Sequence, residues 1–497
     1  MTTLNDRLKR YFSDAKKFIS NLVLMVLLNL LIKPIAIFGI DAAVQNRVGS
    51  EEYGIYFSLL NFSFLFNILL DFGINNFTTK NIAQYPKVAS KYLGKVLTFR
   101  LILFLFYVVV SYSIAVVLGW NSYELYLLSF LVLNQFIITL IAYVRSHFGG
   151  LLMFKTEAFI SVLDRFLLII FCGILLYFPV TDTPFKIEWF IWIQTGCYAI
   201  TLVAAFLLLF SKFGIPKLKY HPVFSVSIIR KSFPYAMLIL LMTIYTRLDS
   251  VMVERMLEDG KMEAGYYAKG FRLLNAFFMF AMIFSNLLFP IFSKMFKKKE
   301  DVLPLLATAS KLLVGGSILI AIVSYFNSEY ILRLIYIEDI VESNVPYQLL
   351  MFSFIGIASS IVFGTVLTAR GNLLFLNVLS GIGILINVSV NYYLIPLYGA
   401  TGAAIATVIT QSLVSITQFI YCTRVLNMKF TLLSVVQFLL YVMTLVTLCY
   451  YVRAESALLF IVVICLAFLA MIVFKLIDLK KLRFIVKNSP EEEIIVE

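Results

Sequence analysis

Polar residues punctuate this chain at intervals, and the apolar runs between them share a common length. A helix that crosses about 30 Å of hydrocarbon needs roughly 20 apolar residues. That window fits fourteen stretches: 20–42, 54–73, 96–118, 125–144, 158–178, 189–211, 234–253, 266–291, 305–327, 346–368, 373–394, 399–421, 432–452 and 457–476. The pattern predicts an all-α polytopic membrane protein of about 14 transmembrane helices. Fourteen spans in 497 residues leave about 35 residues for each helix and its connection, so no soluble catalytic domain fits. The longest polar connections, 74–95 and 212–233, hold about 22 residues each. Five cations precede the first run, as in a signal peptide. That run is a full span long and more spans follow, so it reads as an uncleaved helix.

Composition agrees with the pattern. The chain is 61% hydrophobic and 14% charged, with mean hydropathy +0.93, whereas soluble domains carry roughly 45–50% apolar and about 25% charged residues. A soluble enzyme, a nucleic-acid-binding domain and a disordered chain are excluded. Cys172, Cys197, Cys422, Cys449 and Cys465 lie inside apolar runs without C-x-x-C spacing, and His147 and His221 have no second ligand nearby. Packing is the expected role of the cysteines, and no metal or cofactor site is expected.

The net charge of +13 becomes a topology signal once its cations are placed. With the N-terminus inside, 30 of the 41 Lys and Arg fall in cytoplasmic segments. Only Arg47, Lys186, Arg255, Lys261, Arg333 and Arg453 fall outside. This bias puts both termini in the cytoplasm, with the basic loops against anionic lipid headgroups. Nucleic acid is not needed to explain the charge.

Lys33, Arg165, Arg247, Lys269 and Arg272 remain within the spans. Each costs roughly 2.5–3.5 kcal/mol at the bilayer centre, and such residues usually face a bundle interior or a wet cavity. By position along their helices, Lys33, Arg247, Lys269 and Arg272 belong to the outer half of the membrane. Snorkelling, or pairing with Asp41, Asp71, Asp164 or Asp249, accounts for single residues. As a set the cations suggest a chamber for an anionic passenger. Asp249 and Arg247 are two residues apart, which turns them to different sides of a helix.

An internal repeat organises the spans. Glu52-Tyr53-Gly54-Ile55-Tyr56 and Glu263-Ala264-Gly265-Tyr266-Tyr267 both read E-x-G-x-Y and lie 211 residues apart, one opening the second span and the other the eighth. Both preceding helices run outward, so the repeats are parallel. The expected architecture is two pseudo-symmetric six-helix lobes plus two C-terminal helices. Residues 1–211 would form the N-terminal lobe, 212–233 a cytoplasmic linker, 234–424 the C-terminal lobe, and 425–497 the last two helices and tail. Asn377, Asn387 and Asn391 share a narrow wedge of the eleventh span beside Gly381 and Gly383. They suit either helix–helix hydrogen bonding or recognition of a passenger's hydroxyls.

Three passages carry a family resemblance. Arg47 to Tyr56 is similar to the loop after the first helix of the polysaccharide-export flippases, the Wzx or O-antigen transporters of the multidrug/oligosaccharidyl-lipid/polysaccharide exporter superfamily. Asp71-Phe72-Gly73-Ile74 matches that family's usual end to the second helix. Asn391 to Thr407, with LIPLYGATGAAIAT, resembles its most distinctive stretch. The resemblance implies alternating access and an undecaprenyl-pyrophosphate-linked oligosaccharide passenger, moved from the cytoplasmic to the outer leaflet for O-antigen, capsule or exopolysaccharide synthesis. It also implies a bacterial inner membrane, with a polysaccharide polymerase and a chain-length regulator as partners besides membrane lipids.

Within that reading the substrate-binding residues are expected to be Lys33, Arg247, Lys269, Arg272, Arg165, Asn387 and Asn391. Asp41 and Asp249 are the ion-coupling candidates for a proton or sodium ion. There is no catalytic group. The chain has no G-x-x-x-x-G-K-[ST] loop for ATP, and an interior-negative potential favours outward movement of each negative charge by about 2.3 kcal/mol per 100 mV. Rival readings are a cation-coupled multidrug exporter and a lipid II flippase. A polymerase or ligase would need a large outer loop, and the longest outer connection (328–345) has about 18 residues.

Overall fold

The computed structural model describes residues 28–29, 31–75, 78–79, 82, 88–151, 153–178, 183–429, 431–474 and 476. The first 27 residues, and with them most of the expected N-terminal basic segment, lie outside the described residues. So do nearly all of the residues after 474. Among the described residues there is no strand. Among those residues ten helices are long and apolar enough to cross a membrane.

A π-helical stretch, Ile35–Asp41, runs directly into α1, Ala42–Leu65. There follow α2 (Ile68–Asp71), α3 (Val88–Val117), α4 (Ser122–Gly150), α5 (Phe154–Tyr177), α6 (Ile187–Phe213) and α7 (Pro222–Met256). Next come α8 (Gly260–Lys298), α9 (Leu303–Phe326), the short α10 (Ser328–Ile335), α11 (Ile340–Arg370), α12 (Leu373–Val425), α13 (Leu432–Tyr451) and α14 (Ala457–Val473). The chain divides into two compact units, Met1–Thr243 and Ile244–Glu497, with the division inside α7. The stretch expected as a linker, 212–233, is the end of α6, eight non-helical residues, and the first turns of α7.

Two long helices are interrupted by glycine. Gly49 (φ 82°, ψ 171°) breaks α1 and Gly399 (φ 56°, ψ −133°) breaks α12, both in backbone regions that side chains disfavour. A straight 53-residue helix would measure about 80 Å, far beyond the bilayer. The Gly399 break, with Pro396 before it and Gly402 packed against the Leu394 backbone, turns α12 back on itself. The two runs expected at 373–394 and 399–421 are therefore the two arms of one helical hairpin.

Each unit is built around one helix. Among the ten apolar helices, α4 and α11 are the most buried, and they are the fourth members of the two expected six-span sets. The last two helices pack on α9, where Ile318, Ile322, Tyr441, Leu445, Val463 and Ala467 form a core and the Tyr441 hydroxyl donates to Gly315 O at 2.9 Å. Outward-facing Leu105, Val109, Leu207, Leu385 and Leu433 are exposed, as lipid-facing side chains should be.

Several cations of the expected loop segments belong to helices, and two of them are tied into the helix pack. Arg100 lies within α3 and Arg145 within α4. Arg100 is 1% exposed. Its guanidinium donates to Asp71 Oδ1 and Asn75 Oδ1, each at 2.7 Å, and to the carbonyls of Leu70 and Thr139. From Thr139 a chain of buried polar groups runs through Asn67 and Gln135 to Ser63 and Tyr107. This seam bridges the irregular turn at Phe66–Asn67 between α1 and α2. Removing one partner of such a pair strands a buried charge, so Asp71→Ala should cost about 3–5 kcal/mol. Detergent-denaturation midpoints would measure the loss, and an unshifted midpoint would show that Asn75 and the carbonyls suffice.

Candidate functional site

Two intramembrane polar clusters stand out, one in each unit. In the second, Asp249 of α7 is 1% exposed. Its Oδ1 accepts from Asn391 Nδ2 at 2.7 Å. Its Oδ2 accepts from Thr407 Oγ1 at 2.5 Å and from the Tyr267 hydroxyl at 3.1 Å. Asn391 Nδ2 also donates to Asn387 Oδ1 at 3.2 Å, and Thr407 Oγ1 lies 3.0 Å from Ala403 O. Asn387 and Asn391 are fully buried, and Asn391 Oδ1 has no hydrogen-bond donor. The α12 hairpin makes this possible, because Asn391 on one arm and Thr407 on the other meet the same carboxylate.

Among the described residues Asp249 has no ion-pair partner. Its charge is answered by hydrogen bonds from Asn391, Thr407 and Tyr267 and by no cationic side chain, an arrangement with room in its chemistry for a proton or a cation. Apart from the Asn391 amide nitrogen, the groups on it are carboxylate and hydroxyl oxygens, with amide oxygens of Asn387 and Asn391 in the same cluster; oxygens of this kind are the hard donors that suit alkali and alkaline-earth cations. No group of three His, Cys, Asp or Glu that would suit a transition metal occurs among the described residues. Asn387 and Asn391, expected to meet a passenger, are here joined to Asp249. Sequence reasoning passed over Tyr267 and Thr407, although both were in view as letters of the E-x-G-x-Y repeat and of the LIPLYGATGAAIAT stretch.

The other cluster lies between the first helix and α5. Asn29 Nδ2 donates to Ser161 Oγ at 3.0 Å, and the Tyr177 hydroxyl donates to Gly39 O at 3.0 Å. Lys33 and Arg165 lie between these two ties. They share about one level, roughly halfway along α5. Arg145 and Asp164 are also close enough to act on Lys33 electrostatically. Arg165 Nε lies 3.4 Å from its neighbour Asp164 Oδ2, and its guanidinium is over the Tyr198 ring at 5.8 Å. Asp41, half-buried at the end of the π-helical stretch, is within electrostatic reach of Arg165. Arg145, whose Nη2 is 3.5 Å from Glu157 Oε1, was missed because it had been counted with the loop.

The remaining expected cations are in the second unit. Lys269 Nζ donates to Glu338 O at 2.6 Å and lies 3.4 Å from Asp339 Oδ2. Its charge is thus answered by the connection between α10 and α11, which is the ion-pairing alternative. Arg247 is half-buried with its guanidinium 5.6 Å from the Phe271 ring centroid, on a different side of α7 from Asp249. Arg272 is buried.

The repeat recurs as geometry. In the first unit Glu52 interacts with the Ile187 backbone at the start of α6, and Tyr56 pairs with Gln194, seven residues on. In the second, Glu263 Oε2 accepts from the Ala400 N–H at 2.7 Å, and Tyr267 pairs with Thr407, again seven residues on.

Comparison with known proteins agrees with this layout. A family model described as "Polysaccharide biosynthesis protein" matches residues 18–296, more than half of the chain. The chain belongs to that family. The model described as "MatE" matches residues 234–393. No curated protein matches at a significant level. The fold is similar to that of the lipid II flippase MurJ in an inward closed conformation, with TM-score 0.71 and 16% identity over 91% of this chain and 98% of that one. An inward-facing multidrug resistance MATE family transporter of the MOP superfamily gives TM-score 0.58 and 16% identity, covering 82% of this chain and 98% of that one. A MOP superfamily transporter from Pyrococcus furiosus gives TM-score 0.56 and 16% identity, covering 83% and 96%. The fold is therefore that of the MOP superfamily of transporters and flippases, and this family member is a multi-pass membrane protein.

Proposed function

We propose that the protein is a flippase for an undecaprenyl-pyrophosphate-linked oligosaccharide, which it moves from the cytoplasmic to the outer leaflet of a bacterial inner membrane for surface polysaccharide synthesis. Both termini would face the cytoplasm. A polymerase and a chain-length regulator would take the product onward. The observation that carries this reading is the pair of Lys33 and Arg165 about halfway along α5, with Arg145 of α4 within electrostatic reach of Lys33. Counter-charge is what a pyrophosphate needs to leave water, and it is what a cationic drug must avoid. Family membership points the same way. Arg247 and Arg272 are further anion contacts in this reading.

Coupling is assigned to Asp249, which would take up and release a proton or an alkali cation among Asn387, Asn391, Tyr267 and Thr407. Asp41, with Arg165 beside it, is the weaker carrier.

Complementation separates the proposed passenger from that of the lipid II flippase. Expressed in a strain lacking its polysaccharide flippase, the protein should restore the surface glycan on an immunoblot. In a strain depleted of its lipid II flippase it should leave lysis unprevented. The opposite pattern would transfer the reading to lipid II. Rescue of neither strain, together with resistance to cationic drugs, would make the protein an exporter.

A further inference from the structure

Glu263 and Tyr267 lie four residues apart on α8, and both reach the second arm of α12. Glu263 takes the first free backbone N–H of that arm, at Ala400, and Tyr267 takes the hydroxyl of Thr407. The break before Ala400 is shaped around the carboxylate. Gly399 has φ 56°, and a Cβ placed there would collide with Glu263. The rotation and height of the arm are thus fixed at two points. Thr407 Oγ1, which meets the Asp249 carboxylate, belongs to that arm, with Ala403 O one turn behind it at 3.0 Å from that hydroxyl. A helix turned by one residue would carry Thr407 about 100° away from the carboxylate.

We propose that Glu263 is a positioning residue. It holds the second arm of α12 in the register that brings Thr407 to Asp249, and it thereby sets the affinity of the Asp249 cluster for its cation. This rests on the reading of Asp249 as the coupling site. Glu52 makes the matching clamp on α6 in the first unit, where the seventh residue is Gln194 and no carboxylate is held. It provides an internal control of the same chemistry.

The test uses the full chain in lipid nanodiscs with sodium as the probe and choline to hold ionic strength constant. Thermal unfolding is followed against sodium concentration. Wild type should be stabilised saturably, and Asp249→Asn should abolish the response. Glu263→Ala should raise the half-saturating sodium concentration about tenfold, equivalent to about 1.4 kcal/mol. Glu263→Gln keeps an acceptor oxygen and should recover to within about threefold, while Glu52→Ala should match wild type. Amide hydrogen exchange over 399–407 in sodium-free buffer gives a readout independent of binding. Glu263→Ala should speed exchange there and Glu263→Gln much less.

An unchanged sodium response in Glu263→Ala overturns the proposal. So does an equal loss in Glu52→Ala, which would mark general destabilisation, and so does unaltered exchange at 399–407. If wild type and Asp249→Asn respond alike to sodium, the cation reading of Asp249 fails, and the proposal's link from Glu263 to cation affinity falls with it. The exchange data then decide only whether the clamp exists. Should Glu263→Ala fail to fold, Glu263→Gln is compared with Glu52→Gln. A shift confined to the former supports the proposal, and equal behaviour overturns it.

Discussion

Exchanging Arg165 for glutamate is expected to bring surface-glycan export to background while the protein still inserts into the membrane. Arg165 lies level with Lys33, with Arg145 in the same neighbourhood and Asp164 and Asp41 as the opposing acids. The substitution turns an even balance, with Glu157 beside Arg145, into a surplus of anions within the apolar part of the helix pack. A loss of at least about 100-fold in transport, or about 2.7 kcal/mol, is a modest demand on a like-charge encounter in a low dielectric. Arg165→Lys keeps the charge but gives up the planar fork, and should retain export within a few fold. Glycan immunoblots normalised to protein in the membrane fraction measure both. Wild-type export by Arg165→Glu would remove this cluster from the passenger's path.

Asp249→Asn is the second large effect. The amide is nearly isosteric and still accepts from Thr407 and Tyr267, so the fold should survive with little change in stability. What disappears is the negative charge, and with it any bound proton or cation. Transport in proteoliposomes should lose its dependence on the ion gradient and fall by about 100-fold or more. Asp249→Ala should behave differently, because it leaves the Asn391 amide and the Thr407 and Tyr267 hydroxyls without their acceptor. Each such group costs about 1–3 kcal/mol, so expression should drop as well. Gradient-dependent transport by well-folded Asp249→Asn would place coupling elsewhere.

Much of the fold was legible in apolar run length. From the third to the ninth span the windows fall on single helices, and the pair around Gly399 falls on the two arms of α12. Helix ends were less legible beside cations. The third window already held Arg100, which was still counted with a loop, and the fourth stopped at 144 although α4 continues through Arg145; Asp71, Asn75 and backbone carbonyls answer the first charge and Glu157 the second. The acid and amides of the second unit were picked out individually, since Asp249, Asn387 and Asn391 are conspicuous in apolar runs. Their convergence was not legible. It depends on a hairpin whose arms return to one carboxylate, and no helical period links residue 249 to residues 391 and 407. Lys269 illustrates the same limit, for its partner Asp339 is 70 residues away in a connection.

The two clamps share a frame and differ in their contents. Glu52 and Tyr56 close on an amide, Gln194, whereas Glu263 and Tyr267 close on a hydroxyl beside an acid. Both halves have kept this joinery, and among the described residues the acid hydrogen-bonded at the clamp is in the second half. With Asp249 as the proposed seat, one monovalent ion would accompany each passenger, so concentrating the cargo further would demand a steeper gradient rather than a second ion.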